Sequence, residues 1–167
     1  MAEVLLSDSL HAELVVYARE ALPEEACGML IGTRDLRLAT QDFFRISAVR
    51  PARNLHPNRE DRFLIDPLEY AQAETYCRKH AHKGLKVLGF WHSHPRSPAA
   101  PSPRDLEEAV GLQQSFPQRY LYLILSLRDS EAPDVAGWRL NEEGAKFEAV
   151  ALDPTPDPSP LAGSGEA

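Results

Sequence analysis

Gly89-Phe90-Trp91-His92-Ser93-His94-Pro95, separated by six residues from Ser102-Pro103-Arg104-Asp105, is the stretch from which the rest of the chain can be read. The apolar run Leu85 to Trp91 predicts a strand that delivers the two histidines at its end. Residues two apart in a strand share a face, with Cα atoms roughly 6.5 to 7 Å apart, so the imidazoles of His92 and His94 can converge on one ion. The Pro-rich segment between His94 and Ser102 reads as a stiff loop that returns the chain to the strand end, making Asp105 the candidate third donor. Two imidazoles and one carboxylate leave a fourth tetrahedral position open, the donor set of a catalytic zinc site rather than a closed structural one.

Each part has a plainer explanation. Ser102-Pro103-Arg104-Asp105 is also a helix start, with Ser at the cap, Pro at the first position and an acidic side chain at the third. His-x-His recurs as His80-Ala81-His82, but on a predicted helix, where residues two apart lie about 200° apart around the axis. Those two read as surface residues complementing the helix dipole, and His11 and His56, with no partner in pattern, as surface residues too.

Outward from this stretch, Leu10, Leu14, Tyr17, Ala18 and Ala21 recur at helical spacing and predict a helix over Ser9 to Leu22, ended by Pro23. Ala26 to Gly32 and Asp42 to Val49 read as strands, followed by a polar loop over Arg50 to Arg62 and a brief strand at Phe63 to Ile65. Asp66-Pro67-Leu68-Glu69 starts a second helix expected to run to His82, with Gly84 as the turn. A helix over Leu106 to Phe116 and strands over Tyr120 to Leu127, Val135 to Leu140 and Phe147 to Leu152 complete the body. The interleaving indicates an α/β (α+β) sandwich, a mixed central sheet flanked by about three helices.

The chain of 167 residues fits one domain, here residues 1–152. Residues 153–167, DPTPDPSPLAGSGEA, carry one large apolar side chain and read as a flexible tail. The formal charge of −7 offers no electrostatic footprint for nucleic acid, and no apolar run reaches the length of a membrane span. Only two cysteines, Cys27 and Cys77, without a C-x-x-C pair, point to a reducing, cytoplasmic setting.

The conjunction of His-x-His, seven residues, Ser, two residues and Asp arises in such a chain by chance on the order of a few times in ten thousand. With the upstream Pro23-Glu24-Glu25-Ala26-Cys27-Gly28, it resembles the JAMM (MPN-plus) metalloprotease family, whose signature is a Glu, then His-Ser/Thr-His-Pro and Ser-x-x-Asp. The resemblance covers residues 3 to 152 and implies a cytidine-deaminase-like JAMM/MPN fold. It implies that His92, His94 and Asp105 hold one Zn²⁺, that Glu25 takes the proton of the attacking water and returns it to the leaving amine, and that Ser102 donates to the oxyanion. The family glutamate stands two residues before Cys-Gly, which selects Glu25 and leaves Glu24 a solvated neighbour; Cys27 reads as a small buried residue.

Members of the family act at the C-terminus of ubiquitin-like proteins. The chain lacks the insertions of the eukaryotic deubiquitinases and is similar to the compact prokaryotic branch, which implies a ubiquitin-like or sulfur-carrier (ThiS/MoaD-type) substrate with a Gly-Gly tail. Peptide and isopeptide bonds stay open as targets, and so does the oligomeric state, a homodimer being one option. The competing reading is a non-catalytic zinc-binding scaffold of the same fold, which the intact donor set disfavours. A zinc deaminase is disfavoured because the His-x-Glu and Pro-Cys-x-x-Cys elements are absent.

Overall fold

Ser7 closes one element and opens the next. In a computed structural model, which describes residues 2–38 and 41–155, it ends β1 (Ala2–Ser7) and caps α1 (Asp8–Ala21), its Oγ accepting the Leu10 N–H at 3.3 Å. The helix starts one residue before the expected Ser9 and buries Leu10, Leu14 and Ala18. β1 has no counterpart in the sequence reading; its short apolar run lacks the alternation that marks a half-buried strand.

β2 (Cys27–Leu38) and β3 (Gln41–Ala52) form a long antiparallel pair; β2 starts one residue after the expected Ala26 and runs six past Gly32, and β3 runs three past Val49 into the expected polar loop. The expected strand at Phe63 to Ile65 is reduced to a single bridge between Asn54 and Ile65. Two backbone bonds flank that bridge, from the Leu55 N–H to the Leu64 carbonyl and from the Asp66 N–H to the Arg53 carbonyl; beyond it the Asn54 side chain accepts the Leu64 N–H and donates to the Arg62 carbonyl, both at 3.0 Å. α2 (Pro67–Lys79) is capped by Asp66 and stops before the expected His82; a 3-10 turn over Ala81–Lys83 leads into Gly84, whose φ of 72° suits glycine.

β4 (Lys86–His94) then runs between β2, antiparallel, and β5 (Leu121–Ser126), parallel, with α3 (Pro103–Ser115) in the connection. β6 (Asp134–Leu140) and β7 (Phe147–Thr155) follow as antiparallel neighbours. β1 lies parallel to both β3 and β7, so the expected mixed sheet is curled until its ends meet, in the order β1-β3-β2-β4-β5-β6-β7. Asp153, Pro154 and Thr155, expected in the tail, belong to β7, because Leu5, Leu6 and Ser7 supply them with a partner strand. The rest of the expected tail, residues 156–167, lies outside the described residues.

Two apolar clusters separate the faces of the sheet. The larger joins Leu10, Leu14 and Ala18 of α1 to inward residues such as Val4, Leu30, Leu88, Trp91 and Leu123; the smaller packs Ala73 and Cys77 of α2 on Met29, Ile31 and Val87. In β4, Gly89 is opposite Leu30 and Val87 opposite Ile31, which leaves Leu88 as an extra residue without a β2 partner.

At Gly89 a Cβ would stand 1.8 Å from the Leu121 carbonyl oxygen, while at Gly111 of α3 it would meet nothing within 4 Å. Gly89→Ala is therefore expected to cost about 2–4 kcal/mol by forcing β4 from β5, and Gly111→Ala to stabilise by about 0.5–1 kcal/mol. Urea midpoints of the two variants moving in opposite directions check this.

Candidate metal centre

The end of β4 and the first turn of α3 meet at three side chains. His92 Nε2 lies 3.1 Å from His94 Nε2, and each is 3.3 Å from the same Asp105 oxygen, Oδ2. Ligand atoms on a tetrahedral zinc with bonds of 2.0–2.1 Å sit roughly 3.3 Å apart, so this triangle has the dimensions of one face of such a site. The donor chemistry agrees, with two borderline imidazoles and one hard carboxylate. The sequence-predicted trio is thus brought together, whereas His80 and His82 stand outside it: His80 Nδ1 is 2.8 Å from the Tyr76 carbonyl.

Each donor is oriented by its own support. His94 Nδ1 lies 2.8 Å from the Pro98 carbonyl, which accepts from it, so Nε2 is the ring nitrogen turned toward the cluster. The His92 ring stacks on Phe63, centroids 4.4 Å apart. Ser102 and Asp105 form a reciprocal capping box, the Ser102 N–H donating to Asp105 Oδ2 at 2.9 Å and the Asp105 N–H to Ser102 Oγ at 3.1 Å. The two explanations of Ser102-Pro103-Arg104-Asp105 are therefore compatible: the cap holds the carboxylate against both imidazoles.

Glu25 precedes β2 and is only 7% exposed, while Glu24 turns outward to pair with Arg59 at 3.1 Å. Two residues without an assigned role in the sequence reading hold Glu25 in place. Ser93, between the histidines, clamps the next residue: its Oγ accepts the Ala26 N–H at 2.8 Å and its own N–H donates to the Ala26 carbonyl at 2.9 Å. Asn54 donates to the Glu25 carbonyl at 3.0 Å and accepts the His56 N–H at 3.0 Å, so one amide ties the glutamate to the loop beyond β3.

Two cavities open on the cluster. Glu25, His94 and Ser102 face one with the Pro95–Pro101 loop. On the other side an apolar groove of about 510 Å³ runs between α2 and α3 over the outer face of the sheet, past His92 and Asp105 and along Phe63, Tyr70, Leu112 and Phe147. His56, expected at the surface without a role, is half-buried in its wall.

Electrostatics divide the site. Burial works to raise the Asp105 carboxyl, but hydrogen bonds from His92 and His94 outweigh it and hold the group below the usual carboxylate range. Burial lowers His92; it also works to lower His94, where the hydrogen bonds to Asp105 and Pro98 prevail and raise it. Burial pushes Glu25 up to about 8, against the pull of nearby His94 and with added repulsion from Asp105, Asp61 and Glu108.

Residues 7–141 match the family described as prokaryotic homologs of the JAB domain. This chain belongs to that family. The chain is 37% identical over 91 residues to the "Probable TtuB-protein conjugate cleaving protease" of Thermus thermophilus, a match covering 54% of this chain and 52% of that relative. The chain thus spans about half the length of that curated relative. It is 32% identical over 117 residues to the "Desampylase" of Haloferax volcanii, covering 68% and 73% of the two chains. A solution structure of a protein from Desulfitobacterium hafniense superposes with a TM-score of 0.73 at 30% identity, covering 94% of each chain. One from Salinibacter ruber gives 0.60 at 33% identity, covering 95% of this chain and 93% of that one.

The raised Glu25 value carries a stability consequence for the metal-free JAB domain. Unfolded, the carboxyl ionises near its ordinary 4.5; folded, near 8, so its contribution is full below the first value and is lost as pH climbs through the second. The Asp105 contribution runs the other way and is lost only as pH falls below the ordinary carboxylate range, so it stays constant over this window. Metal-free protein is expected to melt lower at about pH 8.5 than at about pH 5.5, and Glu25→Gln to flatten that fall. Equal slopes in the two proteins would contradict it.

Proposed function

We propose that the JAB domain is a zinc-dependent hydrolase that cleaves the peptide or isopeptide bond at the C-terminus of a ubiquitin-like or sulfur-carrier protein. The observation that carries this reading is the triangle of His92, His94 and Asp105, with the buried Glu25 carboxyl on its polar side and an apolar groove on the other. The printed activities of the Thermus and Haloferax relatives support the reaction class.

His92, His94 and Asp105 would hold a zinc ion, which would supply Lewis acidity toward the scissile carbonyl and a water with its pKa brought to about 7. Glu25 accepts the proton of the attacking water and delivers it to the leaving nitrogen, its carboxyl lining the same cavity as His94 and Ser102. Ser102 Oγ accepts from the Asp105 N–H, which leaves its hydroxyl hydrogen free to donate to the developing oxyanion. The capping box keeps both residues on the rigid first turn of α3, where the helix dipole also favours negative charge. The groove walls exclude water from the departing bond and receive the extended Gly-Gly tail of the substrate.

Glu25→Gln is expected to retain zinc while kcat falls about 10²–10⁴-fold, the usual contribution of a general base. Asp105→Ala is expected to lose zinc with the fold largely kept. Metal analysis beside mass spectrometry of a sulfur-carrier protein bearing a C-terminal extension tests both, with the cut expected after Gly-Gly. Stoichiometric zinc without cleavage of any ubiquitin-like substrate would support the scaffold reading. Changing His80 and His82 together to Gln is expected to leave metal content and rate near those of the parent, and lost zinc there would put the metal on that pair instead.

A further inference from the structure

The ring has a second mouth. β4 enters at Lys86 and reaches the metal cluster only at its other end, roughly 26 Å along the strand. Arg119 precedes the parallel β5, while Arg34 and Arg139 lie late in the antiparallel β2 and β6, so all four cations gather at the end remote from His92 and His94. There they line a cavity of about 410 Å³ with Phe44 and Leu88, and no carboxylate is among its lining residues.

This concentration stands out in a chain of net charge −7. Asp42 pairs with Arg34 at 3.0 Å and Arg139 at 3.1 Å, so four cations less one carboxylate leave a surplus of three. Arg139 is only 4% exposed, lies over the Phe44 ring at 5.0 Å, and has a buried Nε without a hydrogen-bond partner. The Nε of Arg119 is likewise buried and unpaired, although its Nη2 donates to the Leu140 carbonyl at 2.6 Å. Burying two guanidinium groups side by side, each with an Nε–H left without an acceptor, costs stability unless something compensates them.

We propose that this mouth is a binding site for a phosphate-type oxyanion carrying two or more negative charges. The surplus calls for such a ligand, since a lone carboxylate returns a single charge. Three arginines present flat, multiply donating groups that match phosphate oxygens, and the apolar floor of Phe44 and Leu88 strengthens each contact by keeping water away. The volume falls within the range of small-molecule sites and suits a compact anion at the opening of a barrel. Arg139 supports the same conclusion: burial and the neighbouring Arg119 charge lower its pKa, a penalty that a bound polyanion relieves.

The test is calorimetric titration of the zinc-loaded full chain with inorganic phosphate, pyrophosphate and acetate at matched ionic strength. Pyrophosphate is expected to bind more tightly than phosphate, and acetate not to bind. In Lys86→Gln/Arg119→Gln the affinity is expected to fall about tenfold or more, the loss for removing hydrogen bonds to charged groups. Should that double variant fail to fold, Lys86→Glu alone, at an exposed position, is expected to weaken binding in the same direction. Phosphate captured at the metal centre instead would leave the affinity of these variants unchanged, and that result overturns the proposal, as does an absence of binding above matched sodium chloride.

Discussion

Two hydrogen bonds between Ser93 and Ala26 hold the candidate centre together. One passes through the Ser93 hydroxyl and one through its backbone, at 2.8 and 2.9 Å, in a site where Ser93 has no exposed surface. They bind the strand carrying both imidazoles to the residue that follows the glutamate, so donors and proton acceptor share one rigid frame. Removing the hydroxyl would leave the buried Ala26 N–H without its acceptor, a penalty of about 1–3 kcal/mol. That cost would fall where a small displacement matters most to a water poised between groups.

The same frame depends on an irregularity in β4. Leu88 faces the inner cluster with Trp91, whereas Phe90 and His92 face the outer groove. Strict alternation from Leu88 would have turned His92 inward, into the apolar interior of the ring. The extra residue at Leu88 shifts the phase by one, and the histidines emerge beside α3 instead. Gly89, next to this bulge, lets β5 approach so closely that no side chain fits between them.

The donor trio was legible in the sequence because its geometry is local: two residues in a strand and one helix cap, joined by a short stiff loop. Family resemblance added Glu25, whose distance of 67 residues from His92 hides any periodic signal. The helices were legible from Pro67, Asp66 and the spacing of Leu10, Leu14 and Ala18, and most strands from apolar runs. β1 was not, since its strand character comes from two parallel partners supplied by β3 and β7. Asn54 and His56 were missed for a related reason. A polar residue in a loop carries no pattern, and the Asn54 amide gains its meaning only when Glu25, Arg62 and Leu64 are folded around it. The groove draws on segments from His56 to Phe147, and the cationic mouth on five strands or their approaches, so neither has a sequence signature.

Ring closure through β1 also bears on how the molecule behaves in a crowded solution. A first strand bonded on both sides covers β3 over Asp42–Arg45 and β7 over Ala151–Thr155, amide and carbonyl groups on which a neighbouring copy could otherwise grow a fibril. That protection rests on six residues. Protease trimming there, or a fusion that pulls the segment away, would bare β3 and β7 together and turn a self-sealed particle into one with two adhesive flanks.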